Sequence, residues 1–276
     1  MRAIVLAALL LPTLANAETC RFTGTTSHAG RLAATVTTTQ ANGDLTIDVT
    51  IAFAITALAS DVKYYGQEIS IWRGRQLRTL AVNQRTIVDD SIKRQQWDVF
   101  RRNDRAPGGP TLEAYRVQAK RLVDFRPHHP GFVQHWSPTA FGHPWLQDFQ
   151  QAPPDRRPDL DLPAAPSTQA PLALAFYWSR FLPDQGESAA MVLPGFKQDK
   201  TVQLRLSPAT PGDAWRRWST PLIHPGLDAA PASLAAAWVS PQNYLMQLGF
   251  EVHTTWASGQ AFLRPEGCQG IQLRPD

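Results

Sequence analysis

The densest group of side chains able to bind a metal ion lies in the middle of this sequence, where four of the seven histidines fall within residues 128–143. Imidazole nitrogen is a favoured ligand of zinc and copper, so this group predicts zinc or copper as the candidate metal. The spacing matches neither the HExxH motif nor a Cys/His finger. We therefore favour the interpretation that these histidines pack beside aromatic rings or face solvent, and we keep metal binding as the alternative. The four candidate ligands are His128, His129, His135 and His143.

Aromatic side chains crowd the same region and the stretch after residue 172. An aromatic pocket at the mouth of a β-barrel is a natural binding site for an apolar or amphiphilic molecule. In the competing interpretation the same rings form a second small core. We favour this interpretation over a ligand pocket, because aromatic side chains most often serve as core residues. The candidate ligand-binding residues are Trp136, Phe141, Trp145, Phe176 and Trp178.

No residue pattern specifies a catalytic centre. Residues 186–190 (GESAA) approach the GxSxG nucleophile elbow but lack its last glycine, so Ser188 is better explained as a turn residue or the start of a strand. The carboxylate pairs Asp89-Asp90 and Asp159/Asp161 lie in turn-like or proline-rich contexts, where carboxylates are usually solvated. We expect no catalytic residues and favour a protein that is not an enzyme. A hydrolase with a non-standard site is the second alternative.

The first 17 residues have the three regions of a cleavable signal peptide. Arg2 supplies the positive charge, residues 4–14 are apolar, and Ala15-Asn16-Ala17 is a small-x-small cleavage site. The apolar run is too short for a membrane span, which needs about 20 residues, and no later stretch is long enough. The sequence therefore predicts export to the periplasm or beyond, with no transmembrane segment in a mature chain that begins at Glu18.

The two cysteines lie near the two ends of the mature chain, at Cys20 and Cys268. In an oxidising compartment such a pair forms a disulfide, which would join the first strand to the last. A redox or metal-binding pair is the weaker interpretation, because the CxxC spacing is absent.

Composition indicates a folded chain with a mildly basic surface. Apolar residues make up 43% of the chain, which is enough to build a core, and charged residues make up 18%. The net charge is +4, but the arginines are scattered and no nucleic-acid-binding motif is present. We expect an apolar small molecule or a cell-envelope component as the partner, and no nucleic acid.

Strict alternation of apolar and polar residues over residues 45–56 predicts a half-buried strand. Asn42-Gly43 before it is typical of a tight hairpin turn. Further short alternating segments separated by turn residues predict a mainly β fold, in which a curved antiparallel sheet closes into a barrel-like structure. Short helices are also expected, for example in the alanine-rich residues 229–238.

We expect one β-rich domain over residues 18–276. A proline-rich connector at residues 150–171 divides it into a first half, residues 18–149, and a second half, residues 172–276.

The arrangement resembles uncharacterised secreted bacterial β proteins of the DUF6134/DUF3108 type. The resemblance is carried by residues 31–55, the strands that follow to Lys120, His135-Trp136-Ser137-Pro138, and residues 172–192. It implies a curved, barrel-like antiparallel sheet and supplies neither catalytic residues nor an activity. We therefore expect an exported, non-catalytic binding or envelope-assembly protein that holds an apolar or amphiphilic ligand.

Overall fold

In a computed structural model of the chain, most of the residues that the structure describes lie in strands. These are residues 16–25, 31–57, 60–89, 91–119, 158–164, 170, 173, 188–193, 200–207, 216–223, 232–242, 244–253 and 258–272. The strands are β1 (Asn16–Thr25), β2 (Arg31–Ala41), β3 (Asp44–Ala57), β4 (Ser60–Arg73), β5 (Gln76–Val88), β6 (Ser91–Asn103), β7 (Thr111–Ala119), β8 (Leu160–Pro163), β9 (Ser188–Leu193), β10 (Lys200–Ser207), β11 (Arg216–Ile223), β12 (Ala232–Val239), β13 (Tyr244–His253), β14 (Ser258–Glu266) and β15 (Ile271–Gln272).

Fourteen of these strands follow one another across a single antiparallel sheet in the order β8-β7-β6-β5-β4-β3-β2-β1-β14-β13-β12-β11-β10-β9, and β15 pairs with β13. The sheet is thus two meanders joined where β1 pairs with β14. Within the described residues β8 and β9 do not pair with each other, so the barrel-like sheet is not closed. The predicted antiparallel, mainly β fold class is confirmed, whereas the predicted closure of the sheet is not found among the described residues.

The first hairpin shows why the local sequence determines its own pairing. Asn42 and Gly43 both have positive φ angles, 53° and 80°, as a two-residue turn between twisted strands requires. The turn aligns β2 with β3 in unbroken register from Ala41↔Asp44 to Arg31↔Ala54. The predicted hairpin is confirmed.

The main cluster of buried apolar side chains lies on one face of the sheet, while Ile69, Ala81 and Val99 are buried on the opposite face of the central strands. Ile47, Val49, Ile51 and Phe53 of β3 are each at most 3% exposed, while the residues between them are partly exposed. Buried side chains from β1–β7, β12–β15 and Ala170 and Ala173 form a single cluster on this face. The sheet therefore curls around its core, and each large apolar side chain buried there contributes about 1.5–3 kcal/mol.

The helix expected in residues 229–238 was a wrong prediction. Ala232–Val239 forms strand β12, which pairs with β11 and β13. Ala236 and Ala237 are buried in the sheet, so tertiary pairing overrides the helical preference of alanine. No described residue is helical, so the expected short helices are not found in this part of the chain.

The proline-rich connector contains an edge strand, β8, which pairs with β7. Its proline, Pro163, is the last residue of the strand, a position where a missing N–H group is tolerated.

The predicted disulfide is confirmed. Cys20 and Cys268 are bonded, with their Cα atoms 5.7 Å apart. Both cysteines lie at one end of the ladder between β1 and β14, next to the pair Arg21↔Glu266. The register of this ladder consists of Arg21↔Glu266, Phe22↔Pro265 and Thr23↔Arg264. The covalent bond therefore reinforces a ladder of only three residue pairs, at the point where the two meanders meet.

Candidate functional site

The histidine cluster and the aromatic residues proposed from sequence lie outside the described residues. This concerns His128, His129, His135, His143, Trp136, Phe141, Trp145, Phe176 and Trp178, whose roles stay predictions. Within the described part of the chain, no group of three or more His, Cys, Asp or Glu side chains could hold a metal ion.

The remaining candidates Ser188, Asp89, Asp159 and Asp161 lie in strands, turns or bends, and Asp90 lies outside the described residues. Ser188 begins strand β9 and pairs with Arg205 of β10, as the interpretation of a strand start requires. Asp89 occupies the β5–β6 turn with a φ of 47°, and its Oδ1 accepts a hydrogen bond from the Asp61 backbone N–H at 2.9 Å.

Two carboxylates lie on the core face of the central strands, where sequence reasoning had not placed them. Glu68 is 0% and Asp98 1% exposed, and both oppose Val82, one from β4 and the other from β6. Glu68 Oε1 accepts a hydrogen bond from the Ala173 backbone N–H at 2.9 Å, and Gln96 Nε2 donates to Asp98 Oδ2 at 2.7 Å. These bonds offset part of the cost of burying the carboxylates. Glu68 thereby ties the chain after the connector to the core.

An open groove of about 530 Å³ lies across the first three strands. Residues directly opposite each other on neighbouring strands point to the same side of a sheet. Thr23, Ala33, Ala52 and Tyr65 are opposite one another in turn, and their chain neighbours Phe22, Leu32, Phe53 and Tyr64 belong to the core. The row therefore faces away from the main apolar cluster, the direction called outward below. The groove forms because three small side chains in this row stand beside a large one.

The groove has an apolar floor and polar ends. Ala33, Ala52 and Ala54 form the floor, and the Tyr65 ring forms the wall on the β4 side. Arg21 and Glu266 line the opposite end, where Arg21 Nε lies 3.5 Å from Glu266 Oε2. The remaining lining residues are Thr23, Gly24, Thr25, Leu32 and Phe53. This arrangement can bury an apolar chain while leaving a polar group at one end.

Gly24 permits the close approach of β1 and β14 just beyond the Thr23↔Arg264 pair, at the opposite end of the ladder from Arg21. A Cβ atom at Gly24 would lie 2.3 Å from the backbone oxygen of Phe262 on β14. No side chain fits that distance, so only glycine allows β1 to lie this close to β14 here.

A buried cation stands behind the Tyr65 wall. Arg85 of β5 is directly opposite Tyr65 and only 7% exposed. Burial lowers the pKa of Arg85 from its ordinary value, and the interaction with Tyr65 acts in the opposite direction. A guanidinium stays protonated at neutral pH even so, which places positive charge next to the groove.

The alternating sequence contained part of this information. Ala33, Ala52 and Ala54 occupy the outward positions of strands whose inward positions are apolar, but the pairing that aligns them was needed to reveal a groove.

Comparisons with known proteins give a structural similarity without a family. No family model matches the chain, and no curated protein matches its sequence. A crystal structure of a β-barrel-like protein of the domain of unknown function DUF1849 from Brucella abortus is similar to 91% of this chain and 98% of its own, with 7% identity and a TM-score of 0.49. The resemblance to the DUF6134/DUF3108 type therefore stays a prediction.

The described residues contain no helix that is long and apolar enough to cross a membrane.

Proposed function

We propose that this protein is an exported, non-catalytic binding protein that holds an apolar or amphiphilic ligand in the groove on β1–β3. The observation that carries the proposal is the shape and lining of that groove: about 530 Å³, with an alanine floor, a tyrosine wall and a charged end. Ligand sites are typically concave and largely apolar, with volumes of about 300–1,000 Å³ and a few polar groups that orient the ligand.

The lining supports binding more than chemistry. Glu266 is the one carboxylate among the lining residues, and it lies on the surface beside Arg21. Such a pair can orient a ligand, but the arrangement supplies no nucleophile hydrogen-bonded to a base. The lining hydroxyls of Thr23, Thr25 and Tyr65 can donate hydrogen bonds to a headgroup or accept them from it.

Export is supported by the disulfide and by the predicted signal peptide. Structural disulfides persist in oxidising compartments and are rare in the cytosol. The Cys20–Cys268 bond spans a sequence separation of 248 residues, so it forms only when both ends of the mature chain have met. We therefore propose the periplasm or the extracellular space as the place where the groove meets its ligand.

The proposal is tested with the neutral fluorescent amphiphile N-phenyl-1-naphthylamine. Ala52→Trp fills the centre of the floor, so the saturable fluorescence increase of the wild-type protein should be lost. Thr37→Phe is the matched control, since it enlarges an outward residue of β2 beyond the groove and should leave binding intact. Thermal unfolding of both variants verifies that they fold. Equal binding by the folded Ala52→Trp variant and the wild type would disprove the site.

A further inference from the structure

Positive charge surrounds the groove beyond its lining. The cross-strand partners of the outward lining residues include Arg264, opposite Thr23; Lys63, opposite Ala54; and Arg85, opposite Tyr65. Arg264 is exposed, Lys63 is partly exposed and Arg85 is buried. Together with Arg21 these groups place basic side chains on three sides of an apolar floor, while the nearby carboxylates are Glu266 in the lining and Asp61, two residues from Lys63 on the same face of β4. Such a field favours a negatively charged ligand.

The Arg21–Glu266 pair leaves most of the guanidinium available. One Nε–Oε2 contact of 3.5 Å joins them, and the two side chains are 62% and 58% exposed. Elsewhere in this protein an arginine holds a carboxylate through both branches of its fork: Arg73 donates to the two oxygens of Asp44 at 2.7 and 3.0 Å. A guanidinium has five N–H donors, and its strong carboxylate or phosphate contacts are about 2.7–2.9 Å long. Glu266 is thus a loosely held partner that an incoming anion can replace.

We propose that the groove is selective for an amphiphile with a single anionic headgroup, carboxylate or phosphate, which binds Arg21 in place of Glu266 while its hydrocarbon chain covers Ala33, Ala52 and Ala54. This inference rests on the proposed function and specifies its ligand class. Arg21 attracts the headgroup, and Glu266 acts as an internal competitor that weakens binding. The two residues therefore have opposite effects on affinity, although they belong to one ion pair.

The test measures how well two amphiphiles with the same chain length, dodecanoate and neutral dodecyl maltoside, displace bound N-phenyl-1-naphthylamine from the protein. Each amphiphile is kept below its critical micelle concentration. Wild-type protein should prefer dodecanoate. Arg21→Gln should weaken dodecanoate binding about tenfold, the value of one charge-assisted hydrogen bond. Glu266→Gln should strengthen it about threefold, because it removes the competitor and a like charge. Neither change should alter dodecyl maltoside affinity more than about twofold, since that headgroup carries no charge.

Charge-matched controls separate a local effect from a change in net charge. Arg105→Gln neutralises an exposed arginine of the β6–β7 loop, and Glu251→Gln neutralises a carboxylate of β13; neither lines the groove. Both should leave dodecanoate affinity unchanged. Acetate and inorganic phosphate carry the headgroup charge without the chain, and they should fail to displace the probe at millimolar concentration.

Three outcomes decide the matter. Opposite changes for Arg21→Gln and Glu266→Gln, with the controls unchanged, support the inference. Equal affinity for dodecanoate and dodecyl maltoside, insensitive to both variants, overturns the anion selectivity and leaves a groove that binds apolar chains. If the wild-type protein does not bind N-phenyl-1-naphthylamine at all, the proposed function fails, and the ligand class fails with it.

Discussion

Removal of the disulfide is the perturbation with the largest effect that the structure allows us to estimate. Cys20 and Cys268 are separated by 248 residues, and their bond flanks a ladder of three residue pairs between β1 and β14. We expect the double variant Cys20→Ala/Cys268→Ala to fold less stably than the wild type. Alanine is preferred to serine because Cys20 is only 1% exposed, and a hydroxyl there would be buried in the core.

The expected loss of unfolding free energy is about 3–5 kcal/mol. The chain-entropy model assigns about 5 kcal/mol to a loop of this length, because the crosslink restricts the unfolded chain, and native disulfides usually contribute about 2–5 kcal/mol. The ladder itself cannot compensate, since three residue pairs offer little pairing to hold β1 against β14 once the bond is gone.

Urea unfolding followed by tryptophan fluorescence measures this loss. Wild-type protein treated with a phosphine reductant is the matched comparison, because it breaks the same bond without changing the sequence. The reduced protein and the double variant should unfold at similar, lower urea concentrations than the oxidised wild type. A loss below about 1 kcal/mol in both would refute the view that this bond holds the β1–β14 junction.

Three further changes test other parts of the structure. Gly24→Ala should destabilise the protein by about 1–3 kcal/mol, as judged by urea unfolding, because its Cβ would lie 2.3 Å from the backbone oxygen of Phe262; an unchanged midpoint would contradict the close approach. Leu80→Ala should cost about 2–5 kcal/mol, because Leu80 is 0% exposed and truncation leaves a cavity in the core; a loss below 1 kcal/mol would place Leu80 outside the core. Burial acts to raise the pKa of Glu113, but hydrogen bonds from Arg101 and Asn103 outweigh it and hold the pKa below the ordinary value of 4.5. A carboxylate with a depressed pKa stabilises the fold above about pH 4.5 and loses this contribution as the pH falls, so Glu113→Gln should reduce the drop in melting temperature between pH 6 and pH 3, and an identical drop would count against the network.

The local sequence carried enough information to predict much of the strand pattern. Alternation over residues 45–56 became β3, and Asn42-Gly43 became the turn that precedes it. These predictions succeed because a side-chain period of two and a preference for positive φ are properties of short segments. The cysteine pairing was also predictable, since the sequence has only two cysteines.

Long-range pairing decided the rest. Ala236 and Ala237 of β12 prefer a helix in isolation but are buried in a strand that pairs with β11 and β13. The buried Glu68 accepts its hydrogen bond from Ala173, 105 residues away in the chain. The groove depends on the register that places Ala33 beside Ala52 and on the meeting of β1 with β14 that brings Arg21 to Glu266. Alternation in one strand shows which residues share a face, but only the pairing of distant strands determines what stands beside them.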